Sequence, residues 1–157
     1  MRQKISIELT KIQQENLIHF LNDYTSILAN SFVFFLKVAR TDYHFVDLIG
    51  KKLKKKRKII ENFLIKLRNS LDKNNNKLFI TSDQLYEIRV ACENYSNCLD
   101  RMSGNIWEQG FCQDVSLRNP ILVKRDISLD IADIFFKKLE ELNKNEKRTA
   151  TKTNLLS

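Results

Sequence analysis

Only two histidines occur in the chain, and they limit the metal and acid–base chemistry that the sequence could support. Glu15 and His19 are one helical turn apart, and Asp47 follows His44 by three residues. Either pair could supply two ligands to a metal ion, but a stable site needs more, so both pairs would have to meet in the fold. Because nothing in the spacing brings them together, the sequence predicts neither a metal site nor a cofactor.

Arg40 and His44 form a second candidate site within the segment RTDYH. On a helix these two residues would share a face, where the arginine could hold a phosphate while the histidine moved a proton. The pair resembles the ribonuclease motif of HEPN domains, although it has fewer residues between Arg and His than the family pattern has. The resemblance implies a ribonuclease with Arg40 and His44 as catalytic residues. We keep this as an alternative to a protein without catalytic activity.

The three cysteines, Cys92, Cys98 and Cys112, do not form the CxxC pairs of a zinc ribbon. We interpret them as reduced thiols. Cys112 has no histidine in its own segment that could activate it as a nucleophile. The sequence therefore favours a protein that is not an enzyme.

The most unusual segment is the run KKLKKKRK, from Lys51 to Lys58. Without the run the chain is almost neutral, although its net charge is +8, with 27 basic and 19 acidic residues. At about 100° per residue, the cations of the run would point to nearly every side of a helix, so they cannot all be buried. The run holds seven cations and no acid: Lys51, Lys52, Lys54, Lys55, Lys56, Arg57 and Lys58.

Two structures would expose this run: a loop between helices, or a long helix that projects past the rest of the protein. The next acid along the chain is Glu61, so we expect the cations to lack partners and to repel one another. Bound phosphates would relieve that repulsion, and the release of counterions would add affinity. Nucleic acid is the expected partner. A merely solvated run, an anionic membrane surface and an acidic protein are the alternatives.

The elements that position these residues are predicted to be helices. Only 3 glycines and 1 proline in 157 residues provide too few turns for a sandwich or barrel, and they cannot form a Gly-rich phosphate loop. A hydrophobic content of 43% is enough for a core. We therefore predict an all-α protein, an antiparallel bundle of four to five helices.

Apolar periodicity and capping residues place the helices along the chain. The pattern predicts helices over about 10–39, after Gly50 up to Asp72, from a capping box at Thr81, and from a cap at Ser128. The boundary between the first two helices stays open, because residues 40–42 could form a bend or continue the first helix into residues 43–49. We expect a loop at 73–77, a short apolar link at 78–80 and an irregular segment around 104–120. Residues 1–143 would form one helical domain, and residues 144–157 a flexible polar tail.

The sequence also predicts where the protein resides. The longest apolar stretch, Ile27 to Val38, is too short and too interrupted to cross a bilayer, so we expect no membrane insertion. A cytoplasmic location follows. In a eukaryotic host, Lys54 to Lys58 would serve as a nuclear import signal.

Together these features predict a non-catalytic accessory subunit that contacts the phosphate backbone of RNA or DNA through Lys51 to Lys58. In size, charge and helicity the chain is similar to the small helical subunits of CRISPR effector complexes, and this similarity implies other protein subunits as partners. The main alternative is a helical protein–protein interaction or oligomerisation module. Its basis is the phenylalanine-rich stretch Phe32 to Phe35, which could exceed what one small bundle buries.

Overall fold

A computed structural model of the protein describes residues 4–38, 43–108 and 115–154, which form four helices and one two-stranded sheet. The prediction of an all-α bundle is confirmed, with the small sheet as an addition. In chain order the elements are β1 (Ile5–Glu8), α1 (Lys11–Val38), α2 (Tyr43–Asp72), β2 (Lys77–Ile80), α3 (Ser82–Glu108) and α4 (Val115–Asn154).

Reciprocal capping boxes begin α1 and α3. At α3 the Thr81 amide donates to Gln84 Oε1 and the Gln84 amide donates to Thr81 Oγ1, both at 3.2 Å. This confirms the predicted cap. The same motif, Thr10 with Gln13, precedes α1, with hydrogen bonds of 2.9 and 3.3 Å. Each box satisfies two amides that the first turn of a helix leaves without intrahelical partners.

A Schellman motif ends α2 in the predicted loop. The Asn75 amide donates to the Ser70 carbonyl at 2.9 Å, and the Asn74 amide donates to the Leu71 carbonyl at 3.0 Å. Asn74 has a φ of 50°, the left-handed conformation that this motif requires. The loop then continues to residue 76, and β2 begins at Lys77.

Substitutions of Asn74 should separate backbone strain from side-chain effects. Asn74→Ala should lower the free energy of unfolding by about 1 kcal/mol, because a Cβ-bearing residue without a polar side chain is disfavoured at positive φ. Asn74→Gly should leave stability unchanged or raise it slightly, since glycine adopts this conformation readily. Urea unfolding of both variants measures the difference, and equal stabilities would contradict the assignment of strain to Asn74.

The two strands join segments more than 60 residues apart in the chain. β1 and β2 pair antiparallel, with Ile5 opposite Ile80 and Ile7 opposite Leu78. These four side chains are buried, whereas Phe79 on the other face is 55% exposed. The link expected at 78–80 is thus a strand, because it finds a partner strand that the sequence reading had not recognised.

A buried glutamine joins the start of α1 to the end of α2. Gln14 is 1% exposed, and its Nε2 donates to the Leu9 carbonyl at 3.0 Å and to the Asn75 carbonyl at 2.9 Å. The Leu9 amide in turn donates to the Asn76 carbonyl at 2.9 Å. These bonds fix the sheet and the α2–β2 turn against the first helix.

The core lies where the four helices meet, and the most extensive helix pairing is between α3 and α4. Phe63 of α2 and Phe135 of α4 are fully buried and pack edge to face, with ring centroids 6.1 Å apart. Phe20 of α1 stacks on Tyr95 of α3 at 5.1 Å. The Tyr95 hydroxyl also donates to Asp23 Oδ2 at 2.8 Å, so α1 is tied to α3 by polar as well as apolar contacts.

The prediction of an irregular segment around 104–120 is wrong for the residues that the structure describes. Residues 104–108 belong to α3 and 115–120 to α4; residues 109–114 lie outside the described part. Gly104 costs α3 about 1 kcal/mol relative to alanine, which helix packing offsets. Pro120 lies in the second turn of α4, where it removes one intrahelical hydrogen bond and its ring crowds the carbonyl four residues earlier.

Ser128 does not cap a helix as predicted; it lies inside α4. Its side chain is fully buried, and Oγ donates to the Cys92 carbonyl of α3 at 2.8 Å. A small residue here permits the close approach of the two helices. The helix α4 continues past residue 143 to Asn154. The division into a domain at residues 1–143 and a flexible tail at 144–157 stays a prediction.

Burial of Cys92 in the same α3–α4 contact creates a pH-dependent contribution to stability. Desolvation, reinforced by the charge of Glu93, raises the pKa of the Cys92 thiol from 9.0 to about 12. Above pH 9.0 the unfolded chain loses this proton while the folded chain keeps it. The free energy of unfolding should therefore decrease by about 1.4 kcal/mol per pH unit from this residue alone.

The comparison with Cys92→Ala isolates that contribution. The variant should be less stable at neutral pH because it loses buried volume, but its deficit should shrink steadily as the pH rises above 9.0. Urea unfolding of both proteins between about pH 7 and 10.5 measures the deficit. Parallel stability curves over this range would contradict the raised pKa.

Candidate functional site

The seven cations of the run lie in the middle of α2, eight or more residues after its start at Tyr43. Neither predicted arrangement is correct, because the run is not a loop and does not project free of the bundle. Leu53, Lys56 and Ile59 are half-buried and continue the apolar face that Ile60 and Phe63 bury in the core. One side of the run therefore packs against the protein, and the other sides remain in solvent.

Three of the seven cations have acidic partners, contrary to the prediction that the run is uncompensated. Lys51 lies 2.6 Å from Asp47, and Arg57 lies 2.7 Å from Glu61, each one helical turn away. Lys56 lies 3.5 Å from Glu87 of α3. The acid that pairs with Lys51 precedes the run, and Glu87 belongs to another helix. The two exposed pairs within α2 contribute only about 0.3–0.5 kcal/mol each, but all three pairs reduce the positive charge available to a ligand.

The other four cations form a connected positive surface that we call the lysine stripe: Lys52, Lys54, Lys55 and Lys58. All four are exposed, and among the described residues none has an acidic group within 4.0 Å. Helical geometry spreads them over about 160° of the circumference of α2 and about 9 Å of its length, with Lys52 at the edge nearest α3. Four like charges this close repel one another, and a bound polyanion would relieve that repulsion. It would not have to displace an acidic partner of these lysines within the described part of the chain.

A groove of about 290 Å³ borders the stripe on the side of α3, and we call it the α2–α3 groove. It contains both cations and acids, together with a large aromatic ring. Its lining consists of Lys52, Lys55, Lys56 and Ile59 from α2 and Asp83, Tyr86 and Glu87 from α3. The groove itself is thus nearly neutral, and the excess positive charge lies at its α2 edge.

The guanidinium group of Arg89 contacts two aromatic rings, one of which is Tyr86. The Arg89 guanidinium carbon lies 5.7 Å from the Tyr86 ring centroid and 5.7 Å from that of Phe136 on α4. Arg89 Nη1 also binds Glu93 Oε1 at 3.0 Å. Sequence reasoning missed this cluster. The spacing of Tyr86 and Arg89 is visible in the sequence, but the contribution of Phe136 depends on how α3 and α4 pack.

Two other basic side chains of the described chain, Lys66 and Arg125, are used for internal contacts. Lys66 donates to Gln84 Oε1 at 2.9 Å and to the Phe79 carbonyl at 3.2 Å, and burial together with Lys4 lowers its pKa. Arg125 contacts both Asp100, at 2.9 Å, and Asp126, at 2.8 Å. These pairings distinguish the stripe from cations that hold the fold together.

A second groove, of about 390 Å³, lies between β1 and α4 but has a different charge pattern. Its two cations are paired, Lys137 with Asp133 at 2.6 Å and Lys138 with Glu141 at 2.8 Å. A phosphate would have to displace these acids. The α2–α3 groove is the better site for an anion, because it lies beside four lysines that have no acidic partner in the described part of the chain.

The remaining candidate residues are not brought into a site within the described part of the chain. Arg40 lies outside that part, and His44 lies at the start of α2, but its side chain is outside it too, as are the side chains of Phe32, Phe34 and Phe35. Glu15 and His19 are exposed on α1. No three His, Cys, Asp or Glu side chains among the described residues could share a metal ion.

No protein-family model, no curated protein and no solved structure matches this chain. Among the described helices, none is long and apolar enough to cross a membrane.

Proposed function

We propose that this protein is a non-catalytic accessory subunit that binds the phosphate backbone of nucleic acid through the lysine stripe. The observation that carries the proposal is the set of four exposed lysines on one helix without acidic partners among the described residues. They are presented by a helix that is anchored in the core by Ile60, Phe63 and Leu67. A rigid support lowers the entropy cost of binding.

The physical source of affinity is electrostatic. Phosphates bound to the stripe would replace repulsion between lysines with attraction and would release counterions from the nucleic acid. Contacts of this kind position a protein on a backbone without selecting a base sequence. That property suits a subunit of a larger nucleoprotein assembly in the cytoplasm, or in the nucleus of a eukaryotic host, where other components supply specificity.

Equilibrium binding to fluorescently labelled oligonucleotides tests this function. Single strands and duplexes of DNA and RNA, each about 20 nucleotides long, would be titrated with the full chain between about 50 and 200 mM salt. We expect binding at low salt that weakens steeply as salt is added. The absence of binding to all four probes at the lowest salt would overturn the proposal.

A further inference from the structure

The α2–α3 groove has a feature that backbone binding does not explain: an aromatic ring beside the cations. Tyr86 is 51% exposed although its neighbours on α3, Leu85 and Ile88, are fully buried. The ring shares the groove with Lys52 and Lys55, two members of the lysine stripe. A positive edge next to an exposed aromatic ring is the combination by which proteins bind single-stranded nucleic acid, where phosphates meet the cations and bases stack on the rings.

The Tyr86 ring already has a contact within the protein, with the guanidinium group of Arg89. Arg89 lies between Tyr86 and Phe136 and is fixed by its hydrogen bond to Glu93. A contact that restricts the ring reduces the side-chain entropy lost when a base stacks on it.

The two acids of the groove determine which part of a nucleotide enters it. Asp83 and Glu87 line the α3 side and would repel a phosphate placed there. The same carboxylates can accept hydrogen bonds from the amino groups of bases. A strand would therefore place its phosphates on the α2 side, at Lys52 and Lys55, and direct a base toward α3.

We infer that the ligand is a single-stranded nucleic acid, one base of which stacks on Tyr86 in the α2–α3 groove. This inference rests on the proposed function and specifies its ligand. In a duplex each base is already stacked and paired, so reaching Tyr86 would require the base to be flipped out at a cost of a few kcal/mol. A duplex could contact only the lysine stripe.

Substitutions of Tyr86 test the inference. Tyr86→Ala should weaken binding of a single strand by about 5- to 100-fold, because a base loses its stacking partner, and should change duplex binding by less than about twofold. Tyr86→Phe should retain single-strand affinity, since the ring is kept. Titrations with single strands and with duplexes measure how much each substitution changes the affinity for the two kinds of ligand. Making both ligands from DNA and from RNA shows which sugar is preferred.

A matched control is available in Phe79 of β2. It is 55% exposed and has a lysine, Lys77, 5.8 Å from its ring centroid, but it does not line the groove. Phe79→Ala should leave the affinity for single strands unchanged, and circular dichroism with thermal unfolding should show that all three variants fold.

The outcomes separate the two proposals. If the unmodified protein binds neither single strands nor duplexes, the proposed function fails and this inference fails with it. If the protein binds both, and Tyr86→Ala weakens single strands no more than Phe79→Ala does, the inference is overturned while backbone binding stands. A loss confined to Tyr86→Ala and to single strands supports it.

Discussion

Replacing Lys52, Lys54, Lys55 and Lys58 together with glutamine should weaken the binding of nucleic acid by about 100-fold or more at about 50 mM salt. Each lysine is exposed and lacks an acidic partner among the described residues, so each can neutralise a phosphate. Glutamine keeps a comparable helix propensity and removes the charge. Because four mutually repelling cations are removed, the free energy of unfolding should stay the same or rise slightly.

The control for this variant must make the same change in net charge elsewhere. The control variant replaces with glutamine four other exposed lysines that have no acidic partner among the described residues: Lys11, Lys73, Lys124 and Lys144. Fluorescence anisotropy titrations of both variants should show a large loss only for the stripe variant. Equal losses would mean that total charge, and not the stripe, determines binding, and no loss in either would exclude the stripe as the site.

Phe135→Ala should be among the most damaging single substitutions in the core, lowering the free energy of unfolding by about 3–5 kcal/mol. Phe135 is fully buried, and it packs edge to face on Phe63, so the truncation removes an aromatic contact between α2 and α4 and leaves a cavity. Since small domains have a total stability of about 5–15 kcal/mol, a loss of this size should lower the melting temperature by many degrees.

The adjacent residue provides the comparison. Phe136 is 42% exposed and contacts Arg89 on the surface, so Phe136→Ala should cost about 1 kcal/mol or less. Chemical denaturation of the two variants side by side measures the contrast. Similar losses would contradict the packing of α4 described above.

The helices could be predicted from the sequence because local signals agree with the packing. In α1 and α3, threonine and glutamine caps directly precede apolar residues at helical spacing, and the core buries those residues, as for Leu17 and Leu21. The strands were not predicted, since pairing of Ile5 with Ile80 depends on segments far apart in the chain. Local reasoning also overstated the effect of Gly104 and Pro120, which packed helices accommodate.

The candidate site was predictable only in part. The run from Lys51 to Lys58 stands out in composition, but which of its cations lack partners depends on Asp47 before it and on Glu87 in a different helix. The aromatic side of the groove could not be found from sequence. Tyr86 is one of several exposed apolar side chains, and only the packing of α2 against α3 places it beside the lysine stripe.

The salt dependence of binding tests the role of the lysine stripe most directly, because its slope reports how many phosphates the protein neutralises. For a single strand the logarithm of the association constant falls by about 0.7 per phosphate contact for each tenfold rise in salt. The slope of the unmodified protein should therefore be steeper by about 2 to 3 than that of the variant with glutamine at Lys52, Lys54, Lys55 and Lys58. Equal slopes for the two proteins would contradict the proposal that these four lysines contact the phosphate backbone.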